Sequence, residues 1–119
     1  SSYCFVGQAK LLKRAFENIL RNAMKYTEAS RVDITLSVDE DNNKYIISFR
    51  DYGPGVPENM LNRLFDPFFR VHSDRGQKYG GYGLGLSIAQ RAVTLHDGDI
   101  YAECHIVKGL VVTIELPIK

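Results

Sequence analysis

Apolar residues in the first quarter of the chain recur as adjacent pairs every fourth position: Leu11 and Leu12, Ala15 and Phe16, Ile19 and Leu20, Ala23 and Met24. That period is helical, so an amphipathic helix is predicted from about Gly7 to Tyr26. The period then falls to two. In "RVDITLSVDE" Val32, Ile34, Leu36 and Val38 alternate with polar partners, the pattern of a half-buried strand. "EDNNK" supplies a turn and "YIISFRD" a second strand, which together predict a hairpin.

Pro54, Gly55 and Pro57 stop that strand, and Pro57 suits the first turn of a short helix over "PENMLNRLF". From Asp66 to Gly83 the periodicity is poor and a loop is expected. A second long helix follows over roughly Leu84 to His96. "GDIYAEC" and "LVVTIELP" form a closing strand pair, with His105 to Gly109 between them. The order predicts one α+β domain, a two-layer sandwich. Its mixed, mainly antiparallel sheet is covered on one face by helices.

At 119 residues the chain is about one domain, and with 45% hydrophobic and 24% charged residues it has a globular composition. A net charge of +1 implies no general attraction to nucleic acid or an anionic membrane. No apolar run approaches the roughly 20 residues of a membrane span, and no signal peptide opens the chain. Cys4 and Cys104 make no disulfide framework or metal-ligand spacing, which points to a reducing compartment. No nucleophile-elbow serine or clustered histidine suggests hydrolytic chemistry.

Two polar features and a glycine cluster exceed what a core requires. Asn18, Asn22 and Lys25 form a stripe beside the apolar arc of the first helix. They are either solvent-facing or the makings of an oxygen shell for Mg²⁺ with a lysine near phosphate. Asp51 continues the face of Tyr45, Ile47 and Phe49 by the period of two, which aims a carboxylate at the core margin. It either caps its own turn or meets a donor such as adenine's amine. In "YGGYGLGLS", Gly80, Gly81, Gly83 and Gly85 lead into a helix start. They are either a flexible connector or a hinge beside an anion-binding helix end.

Taken in order, these pieces resemble the catalytic ATP-binding domain of two-component sensor histidine kinases. That superfamily, with the Bergerat fold, also holds gyrase, heat-shock chaperone and mismatch-repair ATPases. "FENILRNAMKYT" is similar to its N box, "DYGPG" to its G1 box, "LFDPFFR" to its F box and "GGYGLGLS" to its G2 box. The resemblance runs from about Lys10 to Pro117. It implies ATP and Mg²⁺ as cofactors, with Asn22 the principal metal ligand and Asn18 assisting. Lys25 and Arg70 would contact phosphates, Tyr26 would lie along the nucleotide, and Asp51 would bind the adenine amine. Gly53 and Gly55 would shape the adenine pocket, and Phe65 is grouped with the nucleotide-binding residues. Gly81, Gly83, Leu84, Gly85 and Leu86 would form the hinge and phosphate side of an ATP lid at about 70–83. Tyr52, Tyr82 and Asp97 depart from the family's pattern.

ATP-hydrolysing members carry a water-activating glutamate four residues before the metal-binding Asn, where this chain has Asn18. Glu17 is about 100° around the helix and should point elsewhere. An amide is no general base, whereas phosphoryl transfer needs chiefly placement and charge neutralisation. The expected activity is therefore that of an ATP-dependent protein-histidine kinase. The γ-phosphate would go to a histidine on a helical dimerisation and phosphotransfer domain of the same protein, with a response regulator downstream. The alternatives are a degenerate regulatory nucleotide-binding module or an anti-sigma-type serine kinase. The resemblance also implies a monomeric isolated domain in the cytoplasm, within a protein anchored in the inner membrane.

Overall fold

The computed structural model describes residues 9–66 and 82–118. Helix α1 spans Ala9–Tyr26. Leu12, Ala15, Ile19, Ala23 and Tyr26 are buried along it, a stripe at steps of three and four that turns one face to the core. Met24, predicted within that stripe, is exposed on its edge. The strands are β1 (Asp33–Asp39), β2 (Lys44–Arg50), β3 (Asp99–Cys104) and β4 (Leu110–Pro117).

Both predicted hairpins form, and every described pairing is antiparallel, in the order β1-β2-β4-β3. One inner row reads Leu36, Ile47, Ile114, Ile100 across the sheet, and another Ile34, Phe49, Val112, Ala102. Phe49, Val112, Ile114 and Leu116 are buried beneath the helices. The outer face carries polar pairs. Lys44 Nζ lies 2.9 Å from Glu115 Oε1, and Tyr101 donates to Glu115 Oε2 at 2.8 Å. Burial, together with the Glu115 carboxylate, pushes the Tyr101 hydroxyl up to about 12.

β1 departs from the expectation of a half-buried strand. Its alternation is real, yet Ile34 is 54% and Leu36 67% exposed. The sheet order makes β1 an edge, and α1 lies over β2 rather than over it. A groove of about 460 Å³ is left between α1 and the strands, lined in part by Leu12, Phe16, Leu20, Ile34 and Phe49.

After Pro57 the chain makes a 3₁₀ helix, Glu58–Arg63, in place of an α-helical turn. Its end buries Leu64 and Phe65. The second long helix, α2, spans Tyr82–Leu95 and packs against α1 and β3. The Gly98 N–H bonds to Val93 O and the Asp97 N–H to Thr94 O, both at 3.0 Å, a Schellman ending. Asp97 occupies the left-handed position of that ending, at φ 61°. The departure from glycine there is accommodated, because aspartate tolerates this conformation better than most residues.

Candidate functional site

Two elements meet where α1 ends and β2 ends. Asn22 and Tyr26, one turn apart on α1, are both buried. Asn22 is 7% exposed, and its Nδ2 is enclosed with no hydrogen-bond partner among the described residues. An enclosed amide without a partner costs free energy in a simple core, so an unfilled role is the economical explanation. Asn18, one turn earlier, is half-buried, and its Oδ1 accepts a long 3.4 Å bond from Arg21. Lys25 is exposed, its ammonium 5.9 Å from the Tyr26 ring centroid.

Asp51 follows β2 immediately and is 3% exposed, on the inner face as the period of two predicted. Its Oδ1 accepts from the Gly53 N–H at 2.9 Å and the Leu110 N–H at 3.1 Å. Among the described residues Oδ2 accepts no hydrogen bond, and no salt bridge neutralises the carboxylate. Burial pushes the Asp51 carboxyl above its ordinary value, opposed by the two backbone donors and by Arg50. The expected turn cap is thus made by Oδ1. The other oxygen is left for a donor.

Gly53 joins the two elements. A Cβ placed there would lie 2.3 Å from Tyr26 O, so any side chain would drive the strand end from the helix. Gly55, at φ 77°, follows and faces Gly109. Gly109 is a site residue that sequence reasoning missed. It has φ 96°, and a Cβ would fall 1.9 Å from Asp51 O. The hairpin between β3 and β4 thereby presses on the main chain of Asp51. The sequence places Gly109 only in the stretch between the closing strands, and nothing local ties it to a residue 58 positions earlier (109 − 51). Thr27 is a second missed residue. Its Oγ1 donates to Arg31 O at 2.8 Å and accepts the Tyr52 N–H at 3.0 Å, tying the end of α1 to the residue after Asp51.

Gly53 thus packs the end of β2 against Tyr26, one turn from Asn22 on α1, with Asn18 a turn further along. Phe65 lies in the core and on the wall of a cavity of about 520 Å³ with Ile88 and Arg91 of α2. Gly83, Leu84 and Gly85 lie inside the first turn of α2, which starts two residues earlier than predicted and so takes in Gly83. First-turn N–H groups lack helical acceptors wherever the helix begins, so the earlier start preserves the donors. The Leu86 side chain is wholly buried and anchors the helix in the core. Arg70, Gly81 and the lid positions 70–80 fall outside the described residues.

No three His, Cys, Asp or Glu side chains converge as a metal cage among the described residues. A Mg²⁺ ion here would rest on amide oxygen and on its own ligand's phosphates. Asn22 could offer its Oδ1 to such an ion as a neutral ligand, while its enclosed Nδ2 is an N–H donor that calls for an acceptor, not for a cation.

The family model for histidine kinase-, DNA gyrase B- and HSP90-like ATPases matches residues 7–119, and the chain belongs to this family. Within it, the relatives are sensor histidine kinases. The chain is 39% identical to sensor histidine kinase WalK of Bacillus subtilis over 118 residues, 98% of this chain and 19% of that protein. It is 42% identical to sensor histidine kinase RppB of Synechocystis over 113 residues, 94% of this chain and 24% of that protein. The solved mycobacterial sensor histidine kinase MprB superposes with a TM-score of 0.86 at 30% identity, covering 98% of this chain and 78% of that one. Full-length ShkA in complex with AMPPNP gives 0.80 at 28% identity, covering 98% of this chain and 23% of that one. The chain therefore spans about a fifth to a quarter of the curated relatives it matches.

Proposed function

We propose that this domain binds Mg-ATP between α1 and the end of β2 and serves as the phosphoryl donor of a sensor histidine kinase. The supporting observation is the buried Asp51 carboxylate, with one oxygen unbonded, joined through Gly53 and Tyr26 to the enclosed amide of Asn22. Asp51 Oδ2 takes the adenine amine, whose N–H supplies the missing donor. Asn22, with Asn18 beside it, holds Mg²⁺ against the phosphates, and the ion supplies charge neutralisation there. Lys25, exposed at the helix end, is assigned to the same phosphates, as is Arg70, which lies outside the described residues.

The reaction is transfer rather than rapid hydrolysis. The position that would hold a water-activating carboxylate is Asn18. Glu17 is exposed and lines the groove beside Ile34 and Phe49, away from Asn22. With no base on the phosphate side, the γ-phosphate awaits a nucleophile brought by another domain. That nucleophile is a histidine of a helical dimerisation domain in the full protein, which passes the phosphate to a response regulator. No described helix is long and apolar enough to cross a membrane. The inner-membrane anchor and the cytoplasmic placement of this domain are proposed from its likeness to sensor kinases.

Calorimetric titration with ADP, with and without Mg²⁺, tests the site. Asp51→Asn should weaken binding by at least about tenfold, the worth of one hydrogen bond to a charged group. Asn22→Ala should abolish the Mg²⁺ dependence while metal-free binding persists. Undiminished affinity in Asp51→Asn would overturn the adenine assignment, and binding by neither ADP nor ATP would favour the degenerate regulatory module.

A further inference from the structure

Tyr52 stands between Asp51 and Gly53, where the family pattern has a small residue or Asn, and the proposed function gives it no role. Its side chain joins the outer face of the sheet, where Asp33 and Arg50 are cross-strand partners. The hydroxyl donates to Asp33 Oδ2 and accepts from Arg31 Nη2 at 2.8 Å and Arg50 Nη1 at 3.3 Å. The guanidinium carbons of Arg50 and Arg31 lie 3.9 Å and 4.8 Å from the ring centroid. Arg50 Nε is enclosed with no hydrogen-bond partner among the described residues, and the face of the ring is what it meets instead. The main chain of Tyr52 is held as well. Its N–H donates to Thr27 Oγ1 at 3.0 Å, and its carbonyl accepts the Glu28 N–H at 3.3 Å. Arg50 Nη2 reaches on to Lys108 O at 3.1 Å, beside the Gly109 that presses on Asp51.

One residue therefore ties together the end of α1, the start of β1, the end of β2 and the β3–β4 hairpin. The end of α1 carries Asn22, and the end of β2 and the hairpin border Asp51. We propose that Tyr52 is a positioning residue for nucleotide recognition. Acting from the outer face, it fixes the Asp51 carboxylate, and with it the separation between Asp51 and Asn22, so that Oδ2 is aimed at the purine's exocyclic amine. This rests on the adenine assignment to Asp51. Small displacements of a positioned group are costly in a recognition site. A side chain clamped by two guanidiniums and a carboxylate leaves the neighbouring backbone little freedom.

The test compares ADP with inosine diphosphate, which lacks the exocyclic amine, in titrations of the wild type, Tyr52→Ala, Tyr52→Phe, Arg31→Gln and Asp51→Asn. A merely structural role lowers the folded fraction and weakens both ligands equally, so the ratio of affinities isolates aim from stability. The wild type should prefer ADP, and Asp51→Asn should erase the preference. Tyr52→Ala should lower the ratio about tenfold, and Tyr52→Phe, which keeps the ring between the guanidiniums, about threefold. If Tyr52→Ala does not fold, Tyr52→Phe and Arg31→Gln decide, each with an expected fall of about threefold. An unchanged ratio in the Tyr52 and Arg31 variants, with the preference lost in Asp51→Asn, would overturn this inference alone. A preference that survives Asp51→Asn, or none in the wild type, would overturn the adenine assignment beneath it.

Discussion

Asp51 is kept at a cost to the fold. A carboxyl whose folded value lies above its unfolded one stabilises only while protonated. That contribution is complete below the ordinary carboxylate value and is lost as pH rises through the raised one. Asp51→Asn keeps an oxygen for the Gly53 and Leu110 donors and removes the buried charge. Its melting temperature without nucleotide should equal or exceed the wild type's at pH 7. The advantage should shrink as pH falls toward about 3, below the ordinary carboxylate range. Paired thermal scans across pH check this, and an advantage that grew in acid would contradict it. Gly109→Ala sets a methyl into the Asp51 main chain at a positive φ. It should cost at least about 2 kcal/mol in denaturant unfolding and lower ADP affinity too. Asp51 was legible because a two-residue period projects a side chain's direction from its neighbours. Gly109 and Thr27 were not, because their work is done on residues far away in the chain, and no local pattern carries that distance.

Among the elements, the helices followed their periodicity closely, since burying one apolar stripe is a condition that each helix meets on its own. β1 shows the limit of such reasoning. Its alternation specified two faces correctly, yet which face is covered depends on where α1 lies, and that is set by the rows of β2 and β4. The end of α2 makes a sharper case. Asp97 holds the left-handed position of a Schellman ending, a conformation that costs a non-glycine residue about 1 kcal/mol. Asp97→Gly should raise stability by about 0.5 kcal/mol after glycine's own entropy is counted, read from the urea midpoint at constant slope. The adjoining Gly98 allows no such exchange, because its Cβ would lie 2.5 Å from Glu115 O.

For the molecule as a whole, the position of a residue in the sheet outweighs its type. Leu36 and Ile114 belong to one row, two strands apart, and are 67% and 0% exposed. Ile114→Ala should cost about 3 kcal/mol, within the usual range for emptying a packed aliphatic site. Leu36→Ala should stay within about 0.5 kcal/mol of the wild type. Chemical denaturation of both variants checks the contrast, and similar losses would mean that β1 is covered in solution. The family match and the superposition on sensor-kinase domains account for the architecture. The contacts around Asp51 support the adenine assignment proposed for it.

The strand order has a consequence for biosynthesis. β4 is made after β2 and β3 but lies between them. Until the ribosome releases residues 110–117, β2 and β3 have no neighbour to join them, and the core cannot close. The core of the nascent domain must therefore wait for β4 to emerge before it can close.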